Sequence, residues 1–237
     1  FPEKRRIDCN GNVLMPGLVD THVHTAQAML RGCADDLGLI DWLFKRVWVL
    51  QGNYTEEDGR ASAALCTLEM IKSGTTSFLE CMLAERYGFD GVAETIVQSG
   101  MRAAIGKIVM NLPSYAKSEL RMYPGMVEDA ETGIRNTLAA YDKWNGAADG
   151  RIQVWFGPRT PGGVSPEVYQ QISQLAAERH MGITIHISEV REDLEHAHSQ
   201  GFRSPTEYIQ AYGLLGPRSV LAHYVWSDAQ DWKIIAE

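Results

Sequence analysis

The sequence predicts an α/β fold built on a parallel sheet, and three observations carry that prediction. From residue 13 onward, short β-type runs alternate with longer helical stretches, an order that gives parallel strands joined by right-handed crossovers. Four of the seven histidines fall at the C-terminal ends of three of those runs, where parallel α/β folds place their sites. The phosphate fingerprint G-x-G-x-x-G is absent after the first run, so a doubly wound nucleotide-binding sheet lacks its usual mark. About six strand–helix units can be counted, whereas a closed (β/α)8 barrel needs eight and a doubly wound sheet could stop at six.

The elements follow in chain order. Pro16-Gly17 is turn chemistry that starts a strand over Leu18–Val23. In a strand, positions two apart share a face, so His22 and His24 point the same way. Two neutral imidazoles side by side can form a metal pair for zinc or another transition metal. Thr55-Glu-Glu-Asp is an N-cap with acids in the first turn, and it opens a helix to Ser73. Gly74–Glu80 is the next strand, then a helix over Ala84–Ser99, a strand over Met101–Met110 and a helix over Val127–Trp144. The strand Arg151–Gly157 ends in Pro158-Arg159, and Ser165–His180 is a helix with Pro166 in its first turn. Gly182–Glu189 is a strand carrying His186, with Glu189 at its far end. Ser219–Trp226 carries His223, and a Ser-capped helix follows. His180, His196 and His198 fall in helical segments and read as solvated.

Composition narrows the class. The 237 residues are 45% hydrophobic and 22% charged, which is ordinary for a globular chain, and a formal net charge of −8 argues against nucleic acid. Cys9, Cys33, Cys66 and Cys81 form no Cys-x-x-Cys pair and read as reduced, in keeping with a cytoplasmic protein. No apolar run of about 18 residues is present, so no membrane span is expected. The start, FPEKRRIDCNG, is too charged for a signal peptide, and its first residue, Phe1, leads us to expect residues upstream.

PGLVDTHVH, IHISE and VLAHYVW, in that order, resemble the amidohydrolase superfamily of metal-dependent hydrolases. Within it the chain is similar to the aminohydrolase branch, which holds guanine deaminase, methylthioadenosine/S-adenosylhomocysteine deaminase and the triazine hydrolases. The resemblance runs from Gly11 to Glu237. It implies a TIM-type (β/α)8 barrel of parallel strands, incomplete at about six units. Residues 1–12 would be the remnant of an N-terminal β-rich segment, and 13–237 a hydrolase barrel truncated before strands seven and eight. Carried over residue by residue, it makes His22, His24 and His186 ligands of one zinc or iron ion. Glu189 becomes the proton shuttle, and His223 the residue that helps polarise water or substrate. The family's last ligand, an aspartate after strand eight, lies beyond the end of this chain.

The implied reaction is attack of metal-bound hydroxide on a ring carbon bearing an amino group, with release of ammonia. The metal lowers the water's pKa towards about 7, and a carboxylate moves the protons because amide ion leaves poorly. A cytidine-deaminase type of site is excluded, since P-C-x-x-C is missing. Gln27 and Arg159 resemble positions of guanine deaminases and would read a purine's carbonyl and ring nitrogens. LRGCADDLGLIDWLFKRVW and YDKWNGAADGRIQVWFGP are instead close to the methylthioadenosine/S-adenosylhomocysteine deaminases. That group has Glu at the position of Gln51 and His at that of Arg159. Tyr224 stands where a small residue is expected and would narrow the pocket. A guanine-like purine is therefore the expected substrate. The alternatives are a methylthioadenosine/S-adenosylhomocysteine deaminase, a chlorotriazine-type hydrolase, or a barrel remnant that binds without turnover. The expected partners are a small heteroaromatic substrate and a second copy in a homodimer, with no nucleic acid and no membrane.

Overall fold

A computed structural model of the chain describes residues 7–115 and 121–236. Six parallel strands form one sheet in sequential order: β1 (Leu18–Val23), β2 (Thr75–Leu83), β3 (Arg102–Val109), β4 (Ile152–Pro158), β5 (Ile183–Ile187) and β6 (Ser219–His223). Helices lie between them. α1 (Leu39–Trp42), a π turn (Leu43–Val47) and α2 (Trp48–Gln51) run into one another, and α3 (Glu56–Ser73) leads into β2. α4 (Phe89–Ser99) follows β2, and α5 (Ala130–Trp144) with the single turn α6 (Ala147–Gly150) follows β3. α7 (Pro166–Arg179) joins β4 to β5, α8 (Arg191–Ser199) and α9 (Pro205–Ala211) precede β6, and α10 (Ala229–Ala236) closes the order.

The local chemistry explains where these elements start and stop. Thr55 accepts from the Asp58 N–H at 3.2 Å while the Asp58 carboxylate accepts from the Thr55 N–H at 2.8 Å, a reciprocal cap on α3. Gly74, at φ +85°, ends that helix in the left-handed conformation that glycine adopts without strain. α4 begins at Phe89 and not at Ala84, because Gly88 (φ +72°) breaks the chain after a 3₁₀ turn at Glu85–Tyr87. α5 begins after Asp129, whose side chain accepts from the Thr132 N–H, and not at Val127. The helical stretch 39–51 was not expected from the sequence, and β2 continues three residues past Glu80.

The sheet is curled as an incomplete (β/α)8 barrel. Inward side chains of non-neighbouring strands meet across its interior: Cys81 Sγ on β2 lies 2.9 Å from Thr184 Oγ1 on β5. A Cβ at Gly106 on β3 would stand 2.7 Å from the Thr184 methyl, and one at Gly157 on β4 would stand 2.8 Å from Met82 Cβ. Those two strands therefore need glycine. β5 is buried along its whole length, Ile-Thr-Ile-His-Ile, with its isoleucines on the helical layer and Thr184 and His186 facing the interior of the sheet. Ile183, Ile185 and Ile187 pack in one apolar cluster with α7 and α9, through Tyr169, Ile172, Tyr208 and Ile209. Among the described residues β1 and β6 each pair on one side only, yet the curl brings the ring of His22 on β1 to 4.9 Å from that of His223 on β6. Of the expected N-terminal β-rich remnant, residues 1–6 lie outside the described residues, and 7–12 hold a turn and no strand. No helix among the described residues is long and apolar enough to cross a membrane.

Candidate metal centre and active site

Every expected site residue lies at the C-terminal ends of the strands, and the curl of the sheet brings them around one cavity. Its volume is about 360 Å³, and His22, His24, Gln27, Arg159, His186, Glu189 and His223 all line it, together with Leu37, Leu39 and Trp42. That size suits a small organic molecule. His22 near the end of β1 and His24 just past it do come together as expected, although the β1–β2 register shifts between Asp20 and Val23. His22 stands 5.1 Å from His24, 5.0 Å from His186 and 4.9 Å from His223, ring centre to ring centre.

The donor set fits a transition metal. His24 Nε2 and His186 Nε2 are 3.2 Å apart. Two nitrogens bound tetrahedrally to one zinc at ~2.1 Å stand about 3.4 Å apart, so the pair is already at the spacing a shared ion needs. Nδ1 of His22 and Nδ1 of His186 are buried without a hydrogen-bond partner. Burial, and then the neighbouring His223 and Arg159, push the His22 imidazole down to about 4. Burial and Arg159 likewise hold His24 and His186 well below the ordinary histidine value. All three rings are neutral at pH 7 and keep the lone pair a metal needs. Cys81 was not foreseen in this group, yet its donor atom and those of His22 and His186 lie within 4.8 Å of one another. Burial pushes its thiol up to about 12 and its sulfur is engaged with Thr184, so the imidazoles are the better ligands.

Glu189 follows β5 at a sharp bend, where Ser188 has φ +52°. Its Oε1 is 3.4 Å from His223 Nε2, and burial raises its carboxyl while Arg159 opposes the rise. Burial and then Arg159 lower His223. Arg159 extends from the end of β4, is 7% exposed, and rests over the indole of Trp48 at 5.7 Å. Its Nη1 is buried without a partner, and no carboxylate among the described residues reaches it as an ion pair. A cation left unpaired in a low-dielectric wall is costly, and it favours a ligand that brings acceptors. Gln27 sits on the 3₁₀ turn Thr25–Leu30, its amide 3.5 Å from buried Gln51.

Two expectations are corrected. Tyr224 does not narrow the cavity: its hydroxyl is 2.7 Å from Thr206 Oγ1 and its ring packs on Trp232. His196 is not solvated but half-buried, edge-on to Tyr208, with Nε2 unpartnered. Trp48 beneath Arg159, Glu80, whose Oε2 accepts the Thr25 N–H beside His24 at 2.7 Å, and Asp193, which accepts the Glu189 N–H at 2.8 Å and the Tyr115 phenol at 3.0 Å, support the site and were missed by sequence reasoning. Cys81 alone carried a signal, being one residue past the assigned end of a strand whose inward parity it keeps.

The chain matches the Amidohydrolase family over residues 13–237. It is 36% identical over 229 residues to a 5'-deoxyadenosine deaminase of Methanobrevibacter smithii, covering 97% of this chain and 49% of that protein. It is 34% identical over 236 residues to a 5-methylthioadenosine/S-adenosylhomocysteine deaminase of Pelotomaculum thermopropionicum, covering 100% and 50%. The chain thus spans about half the length of the curated relatives it matches. A zinc-bound adenosine deaminase from Xanthomonas campestris superposes with a TM-score of 0.81 at 25% identity, covering 94% of this chain and 47% of that one.

Proposed function

The chain belongs to the amidohydrolase family, and from that premise we propose that it carries the site of a zinc-dependent hydrolytic deaminase of an aminopurine. The observation that carries the reading is the convergence of three neutral histidines from β1 and β5 with Glu189, His223 and Arg159 on one cavity. His22, His24 and His186 would hold the metal. When bound, zinc supplies a Lewis acid and a nucleophilic water at neutral pH.

The remaining roles belong to this chain's own groups. Glu189, in a dry corner that raises its carboxyl, takes a proton at Oε1 or Oε2 and returns it to the leaving nitrogen. His223, 3.4 Å from that carboxylate, orients it and hydrogen-bonds the reacting centre. Arg159 and Gln27 grip ring acceptors, while Leu37, Leu39 and Trp42 exclude water from one wall.

For the ring, the relatives named above act, by their names, on adenosine-type substrates, and this supports a 6-aminopurine nucleoside. A second reading, guanine, rests on the unpaired guanidinium of Arg159 beside Gln27, which suits a ring carbonyl. Ammonia release by the zinc-loaded full-length protein from 5'-deoxyadenosine, methylthioadenosine and guanine tests both. Faster turnover of the two nucleosides supports the first, and faster turnover of guanine the second. Chloride release from a chlorotriazine with no ammonia from any purine would replace both, and loss of neither group from any of these would overturn the enzymatic reading.

A further inference from the structure

We infer that Tyr115 is a positioning residue for the proton-carrying carboxylate, acting through Asp193 to fix the backbone of Glu189. The inference rests on the reading of Glu189 as the proton carrier. Between His186 and Glu189 the chain passes through Ser188 in the left-handed region, a conformation that a non-glycine residue keeps only when its surroundings hold it. The hold is Asp193. One of its oxygens, Oδ2, accepts the Glu189 N–H at 2.8 Å and the Val190 N–H at 3.4 Å.

A helix cap would need no more than that oxygen. The other, Oδ1, accepts the phenol of Tyr115 at 3.0 Å, from the loop after β3 and 78 residues earlier in the chain. Asp193 is 1% exposed and Tyr115 3%, so without the phenol Oδ1 would be a buried acceptor with no partner, which is costly. Burial raises the Tyr115 phenol well above its ordinary value, and it remains a donor at working pH. Each bond therefore fixes the next: phenol to carboxylate, carboxylate to backbone, backbone to the direction in which Glu189 leaves the strand. The ring of Tyr115 also meets the edge of Trp48 at 6.1 Å, and Trp48 carries Arg159. Removing the hydroxyl alone leaves that stack in place and isolates the effect on Glu189.

The test uses the zinc-loaded full-length protein, with 5'-deoxyadenosine or guanine, whichever releases ammonia faster. Tyr115→Phe should lower kcat about tenfold with KM within about twofold, unchanged zinc content and α8 intact. Asp193→Ala should lower kcat further, and Asp193→Asn, which keeps an acceptor for the backbone, should recover much of that loss. In a Glu189→Gln background, Tyr115→Phe should cost nothing more, because residues that act as a unit are not additive. Amide exchange at Glu189 and Val190 should quicken in Tyr115→Phe while β5 stays protected, a readout that needs no turnover. Wild-type kcat and amide protection in Tyr115→Phe, or an equal loss on top of Glu189→Gln, would overturn the inference. Full activity in Glu189→Gln would instead overturn the reading of Glu189 itself.

Discussion

Two buried cations in this chain are treated in opposite ways. Lys107 on β3 is fully buried, and its ammonium reaches Glu128 at 2.6 Å, the Ile108 carbonyl at 3.2 Å and Glu85 at 3.7 Å. It is a compensated structural charge. Glu128→Ala should therefore cost ~3 kcal/mol or more in urea unfolding, because it strands the ammonium, whereas Lys107→Met should be nearly neutral. Arg159 has no such partner and faces the cavity. Arg159→Met should raise the unfolding midpoint while raising KM for a carbonyl-bearing purine at least tenfold, since a charge-assisted hydrogen bond is worth roughly 1.5–3 kcal/mol. Gaining stability while losing affinity is the signature of a residue kept for a ligand. That His22, His24, His186, Glu189, His223 and Arg159 gather at one cavity was legible, because each sits at or just past a strand end whose position can be read locally. Trp48 and Tyr115 were not, because their importance lies in contacts with residues far along the chain, which no local pattern encodes.

At the scale of elements, the strands were legible from β-rich runs between helices, and the helix starts from caps such as Thr55 and Asp129. The stretch 39–51 escaped notice because its π turn breaks the regular apolar spacing that announces a helix. The first turn of α8 carries a measurable consequence. Burial raises the Asp193 carboxyl from 3.8 to about 6. Between those values the native chain keeps a proton that the unfolded chain has released, so stability falls as pH rises through about 4 to 6 and is level above. The change should be on the order of 3 kcal/mol. Urea midpoints of the metal-free protein across this range should show the slope, and Asp193→Asn should flatten it. A wild-type midpoint that climbs across the window would contradict the assignment.

At the scale of the molecule, parallel strands with sites at one end were legible, but the curl was not, because closure depends on small inward residues such as Gly106 and Gly157 meeting partners two strands away. The curl leaves β1 and β6 each with an unpaired edge among the described residues, and Leu18 and Val19 on β1 are 50% and 64% exposed. Open apolar edges pair with other chains. The 237-residue chain expressed by itself should self-associate with rising concentration in sedimentation experiments, and Val19→Lys should reduce the association. A monodisperse monomer at all concentrations would show that the edge is protected.

The spacing of the histidines also sets an order of events during synthesis. His24 and His186 touch in the folded protein but are separated by 162 residues of chain. At roughly 5–20 residues per second, a ribosome needs on the order of 10–30 s to pass from one to the other. With the metal site proposed above, His22 and His24 would stand through that interval as an unfinished chelate, open to whatever ion the surroundings offer. Only when β5 docks can His186 complete the proposed three-imidazole set, so a choice between metals would be exercised after the fifth strand has formed and not at first contact.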